Sequence, residues 1–402
     1  MADAQRQERE GWDVEATAQA LDEKQVSDEA PRPQKLTIRH VLAVGTGALL
    51  CFSSSAIVFN TWSIFVVPVS TELGIASSQF TVLITIIFLS CSVMASPLGN
   101  LMEKLDLRIV LSVSVALCGT GVLLCSQWTE IWQFYISGVL LGLGEISILW
   151  LAIPTLLNRW FRKNAGFFIG ICMAMTGVGG AIWNSLFTAL NASGMPYQTI
   201  YLIWGVIALA TSLPFTLFCV RSTPEEVGLT PYGAEVAADG TVEKPRGLSA
   251  SKAMRSPVFY IVFIYAGFIN LLTIIANQFP SYMRTLGAAG NVAYDVAVVG
   301  GVMSVAVMIA QAISKVAMGG FADKNARTTM IVAFVAGVAG ILLVWLGVQS
   351  EIMLYAGACI YGFFFASAVV LCPIVVRQIF GTREYSEIYS RIQVFVNLAG
   401  AF

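Results

Sequence analysis

Gly99-Asn-Leu-Met-Glu103-Lys104-Leu-Asp106-Leu-Arg108 returns 220 residues further along as Gly319-Gly-Phe-Ala-Asp323-Lys324-Asn-Ala-Arg327. Each version has a glycine, an acid four residues on, a lysine next, and an arginine at eight or nine. A second pair keeps the same register. Pro154-Thr-Leu-Leu-Asn-Arg159-Trp160-Phe161 corresponds to Pro373-Ile-Val-Val-Arg377-Gln-Ile-Phe380. Gly99 precedes Phe161 by 62 residues and Gly319 precedes Phe380 by 61, with Gly138 and Gly357 each 23 before their phenylalanine. Four matches in register describe an internal duplication of parallel orientation.

The stretches between these breaks are apolar. Of 402 residues 57% are hydrophobic and 12% charged, with a mean hydropathy of +0.76. Soluble domains carry about twice that share of charge, so a solvated shell is missing and the chain is read as a membrane protein. From Val41 onward, runs long enough to cross about 30 Å of hydrocarbon recur with short breaks. The expected spans are 41–68, 78–101, 108–127, 131–157, 165–190, 199–220, 257–279, 293–318, 328–348, 352–375 and one from about 386. Helices are expected, because a lipid-exposed backbone must satisfy its own hydrogen bonds and the ten-residue alternation of a barrel is absent.

This reading divides the chain into a polar, disordered tail over 1–36, a six-helix bundle over 37–220, a polar connection over 221–255, and a second bundle over 256–402. The repeat predicts about 37 further residues beyond Phe402, the rest of span eleven and all of span twelve. Basic residues set the orientation. One set of breaks holds Lys104, Arg108, Arg159, Arg162, Lys163, Lys324, Arg327, Arg377 and Arg383; the opposite set holds only Arg284. The amino terminus is therefore expected in the cytoplasm, and the protein in the cell (inner or plasma) membrane.

Several classes are excluded or disfavoured. A net charge of −1 gives no stripe for nucleic acid. The eight cysteines lie in apolar runs without a Cys-x-x-Cys pair, so neither a metal site nor a disulfide framework is expected. No phosphate-binding glycine loop is present, no cofactor is implied, and no paired carboxylates or Ser/His arrangement within the spans suggests an enzyme.

Across 41–402 these residues resemble the major facilitator superfamily. The break 99–108 is similar to its signature Gly-x-Leu-x-Asp-Arg-x-Gly-Arg-Arg, with Glu103 for the Asp, Asp106 for the second Gly and Leu107 for one Arg. The resemblance implies two parallel six-helix bundles that rock around a midplane site. Arg159-Trp160-Phe161-Arg162-Lys163-Asn164-Ala165-Gly166, with Gly170 and Gly177, resembles helix five of the oxalate/formate antiporter and monocarboxylate transporter branch. Thr223-Pro-Glu-Glu-Val-Gly-Leu-Thr-Pro231-Tyr232-Gly233 is similar to the antiporters' central loop.

In that branch an Arg four residues before a cytoplasmic-end Gly holds the substrate carboxylate; Lys315-Val-Ala-Met-Gly319 has the spacing with Lys in its place. A lone ammonium within a span costs about 2.5–3.5 kcal/mol, so Lys315 needs a partner, a cavity, or a route to the interface by snorkelling. Glu145, mid-span, has no basic residue on its own helix face. It is either a proton-coupling group or an acid bonded across the Gly138/Gly142 packing face. Ser53, Asn60 and Ser63 in span one, and Asn270, Thr273 and Asn277 in span seven, form polar stripes that serve substrate or glue helices together. Gln311 stands one turn before Lys315, where monocarboxylate carriers have an Asp. Tyr355, Tyr361 and Phe363 to Phe365 suggest an aromatic wall or plain packing, and His40 an interfacial side chain.

The resemblance places Glu103 against the start of span eleven and Asp323 against that of span five, as conformational latches with Gly99, Arg108, Gly319 and Arg327. The expected function is secondary transport of a small organic anion such as a carboxylate, by exchange or with protons. Transport of a drug-like cation or neutral solute and a non-transporting sensor are the alternatives.

Overall fold

The computed structural model describes residues 36–234, 246–288, 292 and 294–401, without the side chains of Asn277 and Ala297. The expected tail lies outside the described residues except for Leu36. Eleven long helices follow in order. They are α1 (Ile38–Leu73), α2 (Ser77–Lys104), α3 (Leu107–Cys125), α4 (Ile131–Trp160), α5 (Ala165–Ala192), α6 (Tyr197–Phe218) and α7 (Pro257–Ala276). A continuous stretch, Val296–Leu346, then breaks at Asn325, whose φ of −156° and ψ of 90° separate α8 (296–324) from α9 (326–346). α10 (Glu351–Phe380) and α11 (Tyr385–Gly400) complete the series. Nine candidate membrane spans are found among the described residues, with α8 and α9 counted as one and the shorter α11 not counted.

Local chemistry explains the boundaries. Gly74, at φ 64°, closes α1 in a left-handed conformation that suits a residue without Cβ. Asp106 starts α3 by accepting the Arg108 amide at 2.8 Å. Pro154 and Pro373 cannot donate to the carbonyls four residues back, those of Trp150 and Val369. Both carbonyls fall in wider π-type winding, Ile146–Ala152 in α4 and Ser367–Leu371 in α10. The same irregularity thus recurs in both copies of the repeat. A third π segment, Cys51–Ser55, interrupts α1.

Two seams join helices from the two sides of the polar connection. In the first, α5 lies on α8 through small residues. A methyl on Gly166 would stand 2.7 Å from the Gly319 carbonyl oxygen, and one on Gly177 would stand 3.2 Å from the Ala312 methyl. In the second, α2 lies on α11. A methyl on Gly99 would stand 2.8 Å from the Ser386 carbonyl oxygen, and the Ser92 hydroxyl donates to the Val394 carbonyl at 2.8 Å. Both seams are closed at the basic end of the bundle, where the repeated motif lies.

The polar connection pairs with equivalent points of both repeats. Tyr232 donates its amide to the Trp160 carbonyl at 2.8 Å and accepts from the Arg162 amide at 2.9 Å. Leu248 donates to the Phe380 carbonyl at 2.9 Å, and Arg246 accepts from the Thr382 amide at 2.8 Å. His40 is fully buried beneath the first of these straps, with ring centroids 5.3 Å from Trp160 and 6.3 Å from Tyr232. This corrects the interfacial position expected for it, because the connection folds back over the start of α1.

Candidate functional site

Lys315 and Glu145 are the buried charge-bearing side chains that organise the interior. Lys315, on α8, is 3% exposed, so its ammonium does not reach water at the basic end. Its Nζ donates to Thr176 Oγ1 on α5 at 2.8 Å. No carboxylate lies within ion-pair distance of Lys315 among the described residues. The threonine in turn donates to the Met173 carbonyl at 2.8 Å, and its carbonyl accepts Asn60 Nδ2 at 2.5 Å. Thr176 therefore gathers groups from α1, α5 and α8 at one point. A hydroxyl beside a run of glycines looks like packing in the sequence, which does not single out Thr176. Its position one residue before Gly177 in the α5 seam was the available signal.

Glu145 is fully buried where the winding of α4 widens. Ser55 donates to its Oε2 at 2.7 Å, Ser54 to Oε1 at 3.3 Å, and the Cys118 thiol to Oε1 at 3.6 Å. These donors come from α1 and α3. The Gly138/Gly142 face packs on α2 instead, where a methyl at Gly142 would lie 2.6 Å from Ser90 Cβ.

The π segment of α1 redistributes the expected stripe. Ser53 turns to α6 and bonds Ser212 Oγ at 2.8 Å, while Ser54 and Ser55 take the inward positions. Ser63 is exposed. Regular 3.6-residue winding puts Ser53 and Asn60 on one face, and the extra residue per turn in Cys51–Ser55 undoes that. Asn270 donates to the Val396 carbonyl at 2.8 Å, joining α7 to α11. Asn277 has its side chain outside the described residues. Gln311 is buried one turn before Lys315 on α8. The Tyr361 hydroxyl donates to the Leu272 carbonyl, and its ring packs on Phe279 at 5.6 Å.

At the basic end, Asp323 accepts the amides of Gly166 and Phe167, each at 2.9 Å. α5 has no cap of its own, since Asn164 is left-handed at φ 58° and its side chain makes no capping bond. An acid from the other repeat therefore satisfies the first free amides of this helix and meets the positive end of its dipole. Across the second seam, Glu103 accepts from the Ser386 hydroxyl and lies 3.6 Å from Arg159 Nη2. Gly99 and Gly319 supply the close approach in both seams. Arg108 stays on its own break, with Nε 3.6 Å from Asp106. Arg327 is exposed and enters no ion pair among the described residues. Other basic groups cross the gap: Arg377 Nη2 donates to the Arg162 carbonyl at 2.8 Å, and Arg162 Nη1 to Thr382 Oγ1 at 2.7 Å.

Comparison with known proteins agrees with this architecture. A family model described as Major Facilitator Superfamily matches residues 47–402. The Saccharomyces cerevisiae protein named Probable transporter MCH2 is 27% identical over 97 residues, 24% of this chain and 20% of that protein. Sugar phosphate exchanger 3 of Mus musculus is 26% identical over 153 residues, 37% of this chain and 30% of that protein. The alignments thus span less than a third of either relative. Among solved structures, the human organic anion transporter MFSD10 (TETRAN) superposes with a TM-score of 0.64 at 16% identity, covering 92% of each chain. The proton:xylose symporter XylE bound to 6-bromo-6-deoxy-D-glucose gives 0.65 at 13% identity, covering 90% of this chain and 86% of that one. At these identities the superpositions speak to fold alone. With eleven helices in this arrangement and a family match over nearly the whole length, the chain belongs to the major facilitator superfamily of multi-pass membrane transporters.

Proposed function

We propose that the protein is a secondary carrier for a small organic anion, with a carboxylate as the group that meets Lys315. The observation that carries this reading is the buried ammonium of Lys315, held by one threonine hydroxyl and, among the described residues, by no acid. A buried cation without a counter-charge is costly, and an anionic cargo removes that cost only while bound. Residues 37–220 and 256–402 act as the two moving bundles around this point, with the basic end in the cytoplasm. Asp323 and Glu103 are latches that hold that end shut, together with the Gly99 and Gly319 seams.

The Lys315–Thr176 bond also suggests exchange over one-way transport. It ties α8 to α5 across the seam that must open. A carboxylate that takes the ammonium releases this tie, so the loaded carrier reorients more readily than the empty one. A cation carrier using Glu145 is less well supported, because Ser54, Ser55 and Cys118 already occupy the carboxyl oxygens. The test is uptake of labelled small carboxylates into proteoliposomes loaded with the same anion. Competition by other carboxylates is expected; competition by amines and not by carboxylates would overturn the reading.

A further inference from the structure

Four buried polar side chains with unmet hydrogen-bonding capacity lie on two elements in contact, α11 and the π segment of α4. On α11, Ser386, Ser390, Gln393 and Asn397 form a single fully buried stripe. Its lower half closes the seam on Gly99 and Glu103. Its upper half is incomplete: Asn397 Nδ2 donates to the Gln393 carbonyl at 2.8 Å and the Tyr389 hydroxyl lies beside Gln393, but among the described residues Gln393 Nε2 and Asn397 Oδ1 have no partner of hydrogen-bond geometry. On the neighbouring segment of α4, Ser147 Oγ and Trp150 Nε1 are likewise without a partner among the described residues, with the two residues 0% and 5% exposed. α11 lies directly against this segment. Buried amides, hydroxyls and indole N–H groups are nearly always satisfied in folded proteins, so a cluster of them left open calls for an occupant.

The repeat fixes the depth of this cluster. Gln393 and Asn397 stand 13 and 17 residues after Phe380, as Ala174 and Val178 stand after Phe161. Those two residues bracket Thr176, which holds Lys315. The open amides of α11 and the ammonium of α8 therefore lie at equivalent depths on the two seams. Among the described residues the one cation on α11, Arg391, is engaged elsewhere, by Glu387 at 2.5 Å and by the Met254 sulfur at 2.6 Å.

We infer that Gln393, Asn397, Ser147 and Trp150 form a second subsite that binds uncharged hydroxyl groups of the cargo, so that the carrier selects hydroxylated organic anions over plain alkyl carboxylates. The inference rests on the anion reading for the charged end only. Gln393 and Trp150 donate to hydroxyl oxygens, Asn397 Oδ1 accepts a hydroxyl proton, and Ser147 does either. A site built from such groups rejects an analogue without the hydroxyls, because its own polar atoms are then left unpaired.

The test compares labelled glycerate with labelled propionate, which has the same chain and carboxylate without the hydroxyls, in exchange by proteoliposomes. The parent protein is expected to prefer glycerate by about tenfold or more. In Gln393→Leu and Asn397→Leu the glycerate-to-propionate ratio falls to about one; a purely structural role would slow both anions and keep the ratio. Gln393→Glu, which keeps the volume and replaces the donor by an acceptor, must also collapse the ratio and guards against failure of the leucine variants to fold. Equal exchange of the two anions by the parent, or a ratio that survives in the variants, overturns the subsite. Exchange of glycerol but of neither anion would overturn the charge reading and leave the subsite standing. Exchange of none of the three would overturn the subsite itself.

Discussion

Asp323→Asn should open the basic end of the carrier by a calculable amount. The carboxylate accepts two backbone amides, from Gly166 and Phe167, both at 2.9 Å, at the start of a helix with no cap of its own. Asparagine keeps one acceptor oxygen and turns an amide donor towards the other N–H, so one charge-assisted bond is lost, worth about 1.5–3 kcal/mol. The interaction with the helix dipole, about 0.3–1 kcal/mol, goes with the charge. Both groups regain water when the end opens, so the net bias is about 2 kcal/mol, near thirtyfold in the ratio of open to closed forms. Lys163 and Lys324 are exposed on the two facing breaks and suit paired spin labels. Pulsed dipolar measurements on the labelled protein should show a long-distance population that grows about thirtyfold relative to the closed one in Asp323→Asn. An unchanged distance distribution in a folded variant would refute the latch.

Three other perturbations probe neighbouring parts of the account. Thr176→Val keeps the shape but removes the hydroxyl that holds Lys315, so net efflux into anion-free medium should rise at least tenfold; unaltered net efflux would count against the tether. Gly166→Val places a side chain where even a methyl lies 2.7 Å from a backbone carbonyl, so it should favour the end-open form in the same spin-label measurement. Asp106 caps α3 outside the membrane spans. Burial alone would raise its pKa, but the Ser222 hydroxyl, the Arg108 amide, and the Arg108 and Arg221 charges hold it below the usual value. Stability from a depressed carboxylate is complete above the ordinary value, about 3.9, and fades as pH falls through the folded one. Asp106→Ala should therefore cost about 1 kcal/mol at neutral pH, with a thermal unfolding gap that closes only in acid.

The helices were legible because each is an apolar run bounded by charge, and the duplicated motif supplied their pairing. The approach of Asp323 to the start of α5 was an expectation from the family resemblance, carried by the acid that recurs at a fixed offset from a glycine in both copies. What the sequence hid was winding. Three serines in a row, Ser53 to Ser55, look interchangeable on paper, yet the π segment sends one to α6 and two to Glu145. Pro154 and Pro373 entered the sequence reading only as marks of the repeat, and the π segments their free carbonyls accompany were not expected. Thr176 was missed because a hydroxyl among glycines carries no periodic signal. Its importance comes from a helix more than a hundred residues away. Arg108 and Arg327 share the motif's spacing but remain at the surface, since an exposed guanidinium gains little from crossing a gap that its neighbours already close.

Counterflow of a small carboxylate by Lys315→Ala in proteoliposomes measures the central claim most directly. Loss of anion-stimulated exchange, with the variant still folded and inserted, is the predicted result. Exchange that proceeds at the parent rate without the buried ammonium would contradict the account.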